Sequence, residues 1–143
     1  MEKKIFNKIT KEVFLEYGFK KEDNKFFLLL PDVSIMVRFS SWRGVKYFNY
    51  NFGINDLYDT SFPLDKRFDS IIAIKMEHSP SLRGFHQHEI LYEDYDEAEY
   101  RDLLSKMLHR YFDPYKEDAF KFLKDNDYRM CLSKKAREFL KLI

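Results

Sequence analysis

Phe26-Phe27-Leu28-Leu29-Leu30, then Val33-Ser34-Ile35-Met36-Val37-Arg38-Phe39-Ser40, then Lys46-Tyr47-Phe48-Asn49-Tyr50-Asn51-Phe52-Gly53-Ile54 follow one another with short breaks between them. Pro31-Asp32 marks the first break and Ser41-Trp42-Arg43-Gly44 the second. In the middle run Val33, Ile35, Val37 and Phe39 alternate with Ser34, Met36, Arg38 and Ser40. In the last, Phe48, Tyr50, Phe52 and Ile54 alternate with Tyr47, Asn49, Asn51 and Gly53. Period-two alternation predicts strands over about Lys25–Leu30, Val33–Ser40 and Lys46–Asp56. Breaks this short join antiparallel neighbours, so the stretch reads as a meander.

Helical signals flank it. Ile5, Ile9, Val13 and Tyr17 recur every four residues, with Phe6 and Phe14 widening the stripe. They predict a helix from about Glu2 to Tyr17, closed by Gly18. Ile71–Met76 and Phe85–Tyr92 read as a fourth and a fifth strand around a loop at Ser79–Gly84. Asp96 and Glu99 have capping-box spacing, and Tyr100, Leu103, Leu104, Met107, Leu108 and Tyr111 give a long apolar stripe behind them. Asp113-Pro114 predicts that this helix stops and a second starts, with Asp113 as N-cap. Ser133 predicts the cap of a last helix through Ala136, Phe139, Leu140 and Ile143. Strands segregated from helices predict an α+β fold: an N-terminal helix, an antiparallel meander of about five strands, and three C-terminal helices packed on the sheet. Residues 1–143 read as a single domain.

The composition narrows the function classes. A chain of 143 residues buries roughly two-thirds of its unfolded surface without needing disulfides. With 25 basic and 24 acidic residues the net charge is +1, so no global field draws in nucleic acid or an anionic membrane. The charges are unevenly spread: Glu89, Glu93, Asp94, Asp96, Glu97, Glu99 and Asp102 crowd one stretch, opposed by Arg101 alone. Cys131 is the single cysteine, expected as a buried thiol between Met130 and Leu132. No apolar run reaches membrane-span length and no signal core opens the chain, so a cytoplasmic protein without a membrane partner is expected.

Tyr17-Gly18-Phe19-Lys20-Lys21 after the first helix, the strands Phe26-Phe27-Leu28 and Ile35-Met36-Val37-Arg38-Phe39-Ser40, and the block Phe48–Ile54 carry a resemblance. Over roughly residues 1–55 the chain resembles bacterial domain-of-unknown-function family 4304. Beyond it, Tyr111-Phe112-Asp113-Pro114-Tyr115 adds to the likeness, while Arg38 stands where the pattern suggests glutamine. The resemblance implies a small bacterial interaction protein, some members of the family resembling immunity proteins of toxin systems. It supplies no activity, cofactor or catalytic residue.

The residues themselves offer four candidate sites. Trp42 and Arg43 at a hairpin tip suit a partner-binding anchor, and with Lys46 and Tyr47 they suit stacking on single-stranded nucleic acid. Glu93, Asp94, Asp96, Glu97 and Glu99 suit docking of a basic partner, or simply a well-capped helix start. Arg38, Asn49 and Asn51 share neighbouring strand faces and could line a polar pocket. His78, His86 and His88 could converge on a metal if the fourth and fifth strands form a hairpin, although a complete ligand set is missing. Neither a phosphate loop, a nucleophile elbow, Cys-x-x-Cys nor His-Glu-x-x-His occurs. The expected function is a non-enzymatic protein-interaction module without a cofactor, immunity-like by the resemblance. Two alternatives stand beside it: a ligand- or metal-binding protein or enzyme using the histidines, and a single-stranded nucleic-acid binder at Trp42 and Arg43.

Overall fold

The computed structural model describes residues 1–69, 71–78 and 87–143. Helix α1 (Lys3–Tyr17) leads into strands β1 (Lys20–Glu22), β2 (Lys25–Leu29), β3 (Val33–Trp42) and β4 (Val45–Ile54). Then come β5 (Ile74–Lys75), β6 (Glu89–Leu91) and helices α2 (Glu97–Asp125), α3 (Asp127–Met130) and α4 (Lys134–Phe139). The sheet order is β1-β2-β3-β4, antiparallel throughout, with β5 and β6 both pairing with the far edge of β4. The expected α+β architecture is the observed one.

The alternation read from the sequence decides which face is buried. Phe26, Leu28, Ile35, Val37, Phe48, Tyr50, Phe52 and Ile54 pack under Phe6, Ile9, Val13 and Phe14 of α1 and Tyr100, Leu104, Leu108, Phe112 and Tyr115 of α2. Polar groups inside this layer are paired, as burial demands. The Thr10 hydroxyl donates to the Phe6 carbonyl at 2.8 Å and meets the Tyr100 hydroxyl at 2.6 Å. At the other end of α1, the Tyr17 hydroxyl donates to Asp113 at 2.6 Å. The opposite face is covered in part: Phe27, Met36 and Phe68 form a smaller cluster under Leu64. Gly53 permits that cover. A Cβ there would stand 2.0 Å from the Arg67 carbonyl oxygen.

Three boundaries differ from expectation. The helix does break in two as expected, but further along: it continues past Asp113-Pro114 to a kink at non-helical Asp118 (φ −158°, ψ 91°), after which a second helical segment runs to Asp125. Asp113 cannot cap, because its carboxylate is taken by Tyr17 and by His109 at 2.9 Å. Asp118 does, accepting from the Lys121 amide at 3.2 Å. The fourth strand shrinks from Ile71–Met76 to Ile74–Lys75, because the Asp69 carboxylate accepts the Ile71 amide and bends the chain. The fifth shrinks to Glu89–Leu91; its expected start at Phe85 and His86 lies outside the described residues. No sequence pattern announces strand β1, since Lys20-Lys21-Glu22 has no buried residue to set one. Its shortness and charge blunt the sheet edge against pairing with another chain. Cys131 is exposed rather than buried. It takes the left-handed C-cap of α3 (φ 50°), while Met130 and Leu132 on either side enter the core. No helix among the described residues is long and apolar enough to cross a membrane.

Candidate functional site

The β3–β4 hairpin closes at Trp42↔Val45 through Arg43 and Gly44, both at positive φ (46° and 78°). Two such residues match the twist of antiparallel strands. Glycine adopts this backbone freely, whereas arginine does so at a cost of about 1–2 kcal/mol. Arg43 repays part of that by lying 4.6 Å over the centre of the Trp42 ring. Trp42 remains 63% exposed, so it does not fold back onto the core.

Next to this tip runs the chain that becomes α2. Val45 pairs with Leu91, and the Tyr92 amide donates to the Gly44 carbonyl at 2.9 Å. Glu93 and Asp94 follow in an exposed turn behind the buried Tyr92 ring. Asp96 then caps α2, accepting the Glu99 amide at 2.8 Å, while the Glu99 carboxylate takes the Asp96 amide at 3.3 Å. Arg101, the one cation in the acidic stretch, turns away to Glu12 at 2.6 Å and Glu16 at 4.0 Å. Its hydrogen bond holds the Glu12 carboxyl below the ordinary value. Glu93, Asp94 and Glu97 form no ion pair among the described residues. The structure therefore joins two stretches that sequence left separate: Trp42 and Arg43, and the acidic run from Glu93 to Glu99.

On the face away from α1, Arg38 donates to the Asn51 side-chain oxygen at 2.9 Å, and the Asn51 amide donates to the Asp69 carbonyl at 2.9 Å. The Asp69 carboxylate accepts from the Ile71 and Ser133 amides. A cavity of about 410 Å³ opens here, lined by Met36, Arg38, Asn51, Lys66, Phe68 and Asp69 among others. Asn49 sits opposite Arg38 in register but does not line the cavity, and its buried side-chain oxygen has no hydrogen bond among the described residues. Arg38 and Asn51 are thus brought together as expected, in a network that already satisfies much of itself.

The histidines are arranged differently from expectation. β5 and β6 each pair with β4, not with one another. His78 is buried and joins the later segment through its backbone, its amide donating to the Gln87 carbonyl at 3.0 Å. His88 is half-buried beside Gln87, at 3.1 Å between their side-chain nitrogens. His86 lies outside the described residues. Among the described residues no three His, Cys, Asp or Glu side chains are placed to hold a metal ion.

One residue reads differently in three dimensions. Lys46 is 0% exposed, on the core face of β4. Its ammonium donates to the Asn7 side-chain oxygen at 2.6 Å and lies 4.2 Å from the Phe39 ring centre. Burial, reinforced by nearby Lys3, pushes its pKa down to about 7. The signal was in the sequence: Lys46 shares the parity of Phe48, Tyr50, Phe52 and Ile54, the face read as buried. Comparison of the chain with family models, curated proteins and solved structures finds no match.

Proposed function

We propose that the chain is a non-enzymatic protein-interaction module of the bacterial cytoplasm, immunity-like in presenting an acidic face to a basic partner. The observation that carries this reading is the Gly44–Tyr92 hydrogen bond, which ties the hairpin tip bearing an exposed tryptophan to the acidic segment that leads into α2. Each half has a separate job. Burying the exposed part of a tryptophan against a partner is worth about 2–4 kcal/mol, enough for a hot spot. Glu93 and Asp94, which form no ion pair among the described residues, steer a basic surface toward it with Glu97 and speed association. Arginine in a left-handed turn is a local sacrifice of stability, the kind that clusters at functional positions. The same acids repel phosphate, which weighs against nucleic acid as the ligand of this corner.

The test is capture of a partner from lysate of the source bacterium, repeated with Trp42→Ala and with Glu93→Lys/Asp94→Lys/Glu97→Lys. The expected result is one stoichiometric partner, retained by the parent chain and lost by both variants while both stay folded. Equal capture by all three would sink this face as the docking surface.

A further inference from the structure

A second concavity lies between α1 and the sheet. Lys4, Lys8 and Lys11 line one wall, with Asn7 and Thr10 beside them. Lys21 comes from β1, Phe26 and Phe39 complete the lining, and the volume is about 410 Å³. No acid lines it. Lys8 has Glu12 at 4.0 Å on the exposed helix surface, a pair worth little. Lys4, Lys11 and Lys21 form no ion pair among the described residues. On a chain of net charge +1, this is a strong local excess of positive charge.

Lys4, Lys8, Lys11 and Lys21 are exposed, and the surface between them is ordered by a buried neighbour, Lys46. Asn7 is shared: its side chain lines the cavity, and its oxygen holds the fully buried Lys46 ammonium at 2.6 Å. With the oxygen engaged there, the Asn7 NH2 is left as a donor, and it makes no hydrogen bond to the described residues. Phe39 is shared too, lining the cavity and lying 4.2 Å from Lys46.

We infer that this cavity binds a small molecule carrying a pyrophosphate or two neighbouring phosphates. Lysine ammoniums pair with phosphate as point charges, whereas recognition of a planar carboxylate favours the arginine fork, absent here. The Asn7 NH2 supplies a directed hydrogen bond, and Phe26 and Phe39 supply apolar surface for the rest of the ligand. The volume falls in the range of small-ligand sites. A polymer would need a continuous basic track, and the near-neutral chain offers a pocket instead.

Titration calorimetry with inorganic pyrophosphate and with ADP tests the site in low salt. Saturable one-to-one binding is expected, weakened about fivefold or more by Lys11→Ala and by Lys21→Ala. Lys134→Ala/Lys135→Ala should leave it unchanged. Asn7→Asp separates binding from folding: it gives Lys46 a carboxylate partner, so the melting temperature holds or rises while pyrophosphate binding is lost. The inference is overturned if neither probe binds saturably, or if Lys11→Ala and Lys21→Ala change nothing. It is also overturned if a single-stranded oligonucleotide binds far more tightly than ADP through the same lysines.

Discussion

Lys46 carries the largest electrostatic conflict at the scale of a single residue. An ammonium with no exposed surface keeps one amide oxygen and the faces of Phe39, Phe6 and Phe48 in place of water. Its folded-state pKa of about 7 lies below the ordinary 10.5, burial being the main cause. Below pH 7 the folded and unfolded chains are both protonated here, and the whole penalty is present. Between 7 and 10.5 the unfolded chain binds more protons, so this residue makes stability rise with pH until the penalty is gone. Its size is on the order of 3–5 kcal/mol. Lys46→Met should therefore be more stable than the parent at pH 6, and the advantage should shrink steadily toward pH 10. Denaturant unfolding of both chains across that range measures it, and the comparison cancels the buried tyrosines, which titrate in both. A pH-independent difference would mean that Lys46 stays charged, or is hydrated, throughout.

At the scale of elements, the sequence revealed most where a strand has one wet and one dry face. The β2–β4 meander, its register and its buried face follow from alternation, because slipping one residue would turn Phe48, Tyr50 and Phe52 outward. The helix cap at Asp96 was equally legible, since both partners lie within one turn. Tertiary competition decided the rest. Asp113 had capping chemistry but was claimed by Tyr17 from α1, which no local pattern announces. The candidate site was legible in its residues and not in its assembly, because the Gly44–Tyr92 contact joins positions distant in sequence. Two predictions belong here. Arg43→Asn should stabilise the chain by about 0.5–1 kcal/mol, since asparagine tolerates the left-handed turn, yet weaken partner binding by removing the group over Trp42. Thermal melts and a binding titration must move in opposite directions; parallel movement would make Arg43 a turn residue only. Gly53→Ala should cost about 3 kcal/mol or more, because its Cβ would meet backbone, not a flexible side chain. A melting temperature within a degree or two of the parent would show that residues 67–68 can lift from the sheet.

At the scale of the whole molecule, charge and shape are divided between regions. One corner carries Trp42, Arg43 and the acids of the α2 start; the α1 side carries a lysine-lined cavity. A net charge of +1 conceals this division. If the acidic corner steers a basic partner, its effect falls on association more than on dissociation, because exposed charges act at a distance and are screened by salt. Glu93→Lys/Asp94→Lys/Glu97→Lys should slow association with the captured partner by about 10- to 100-fold at low salt and flatten the salt dependence. Trp42→Ala should instead act mainly on dissociation, by removing the anchor. Stability should change little: only Glu97 lies within the first turn of α2, where its loss costs about 0.3–1 kcal/mol. Reversing Asp32, Asp56 and Glu117, exposed acids elsewhere that form no ion pair among the described residues, provides the control for net charge alone. Stopped-flow or surface-plasmon kinetics at two ionic strengths reads all three variants. If the control slows association as much as the corner reversal, the steering belongs to the molecule's overall charge and the acids near Trp42 hold no special place in docking.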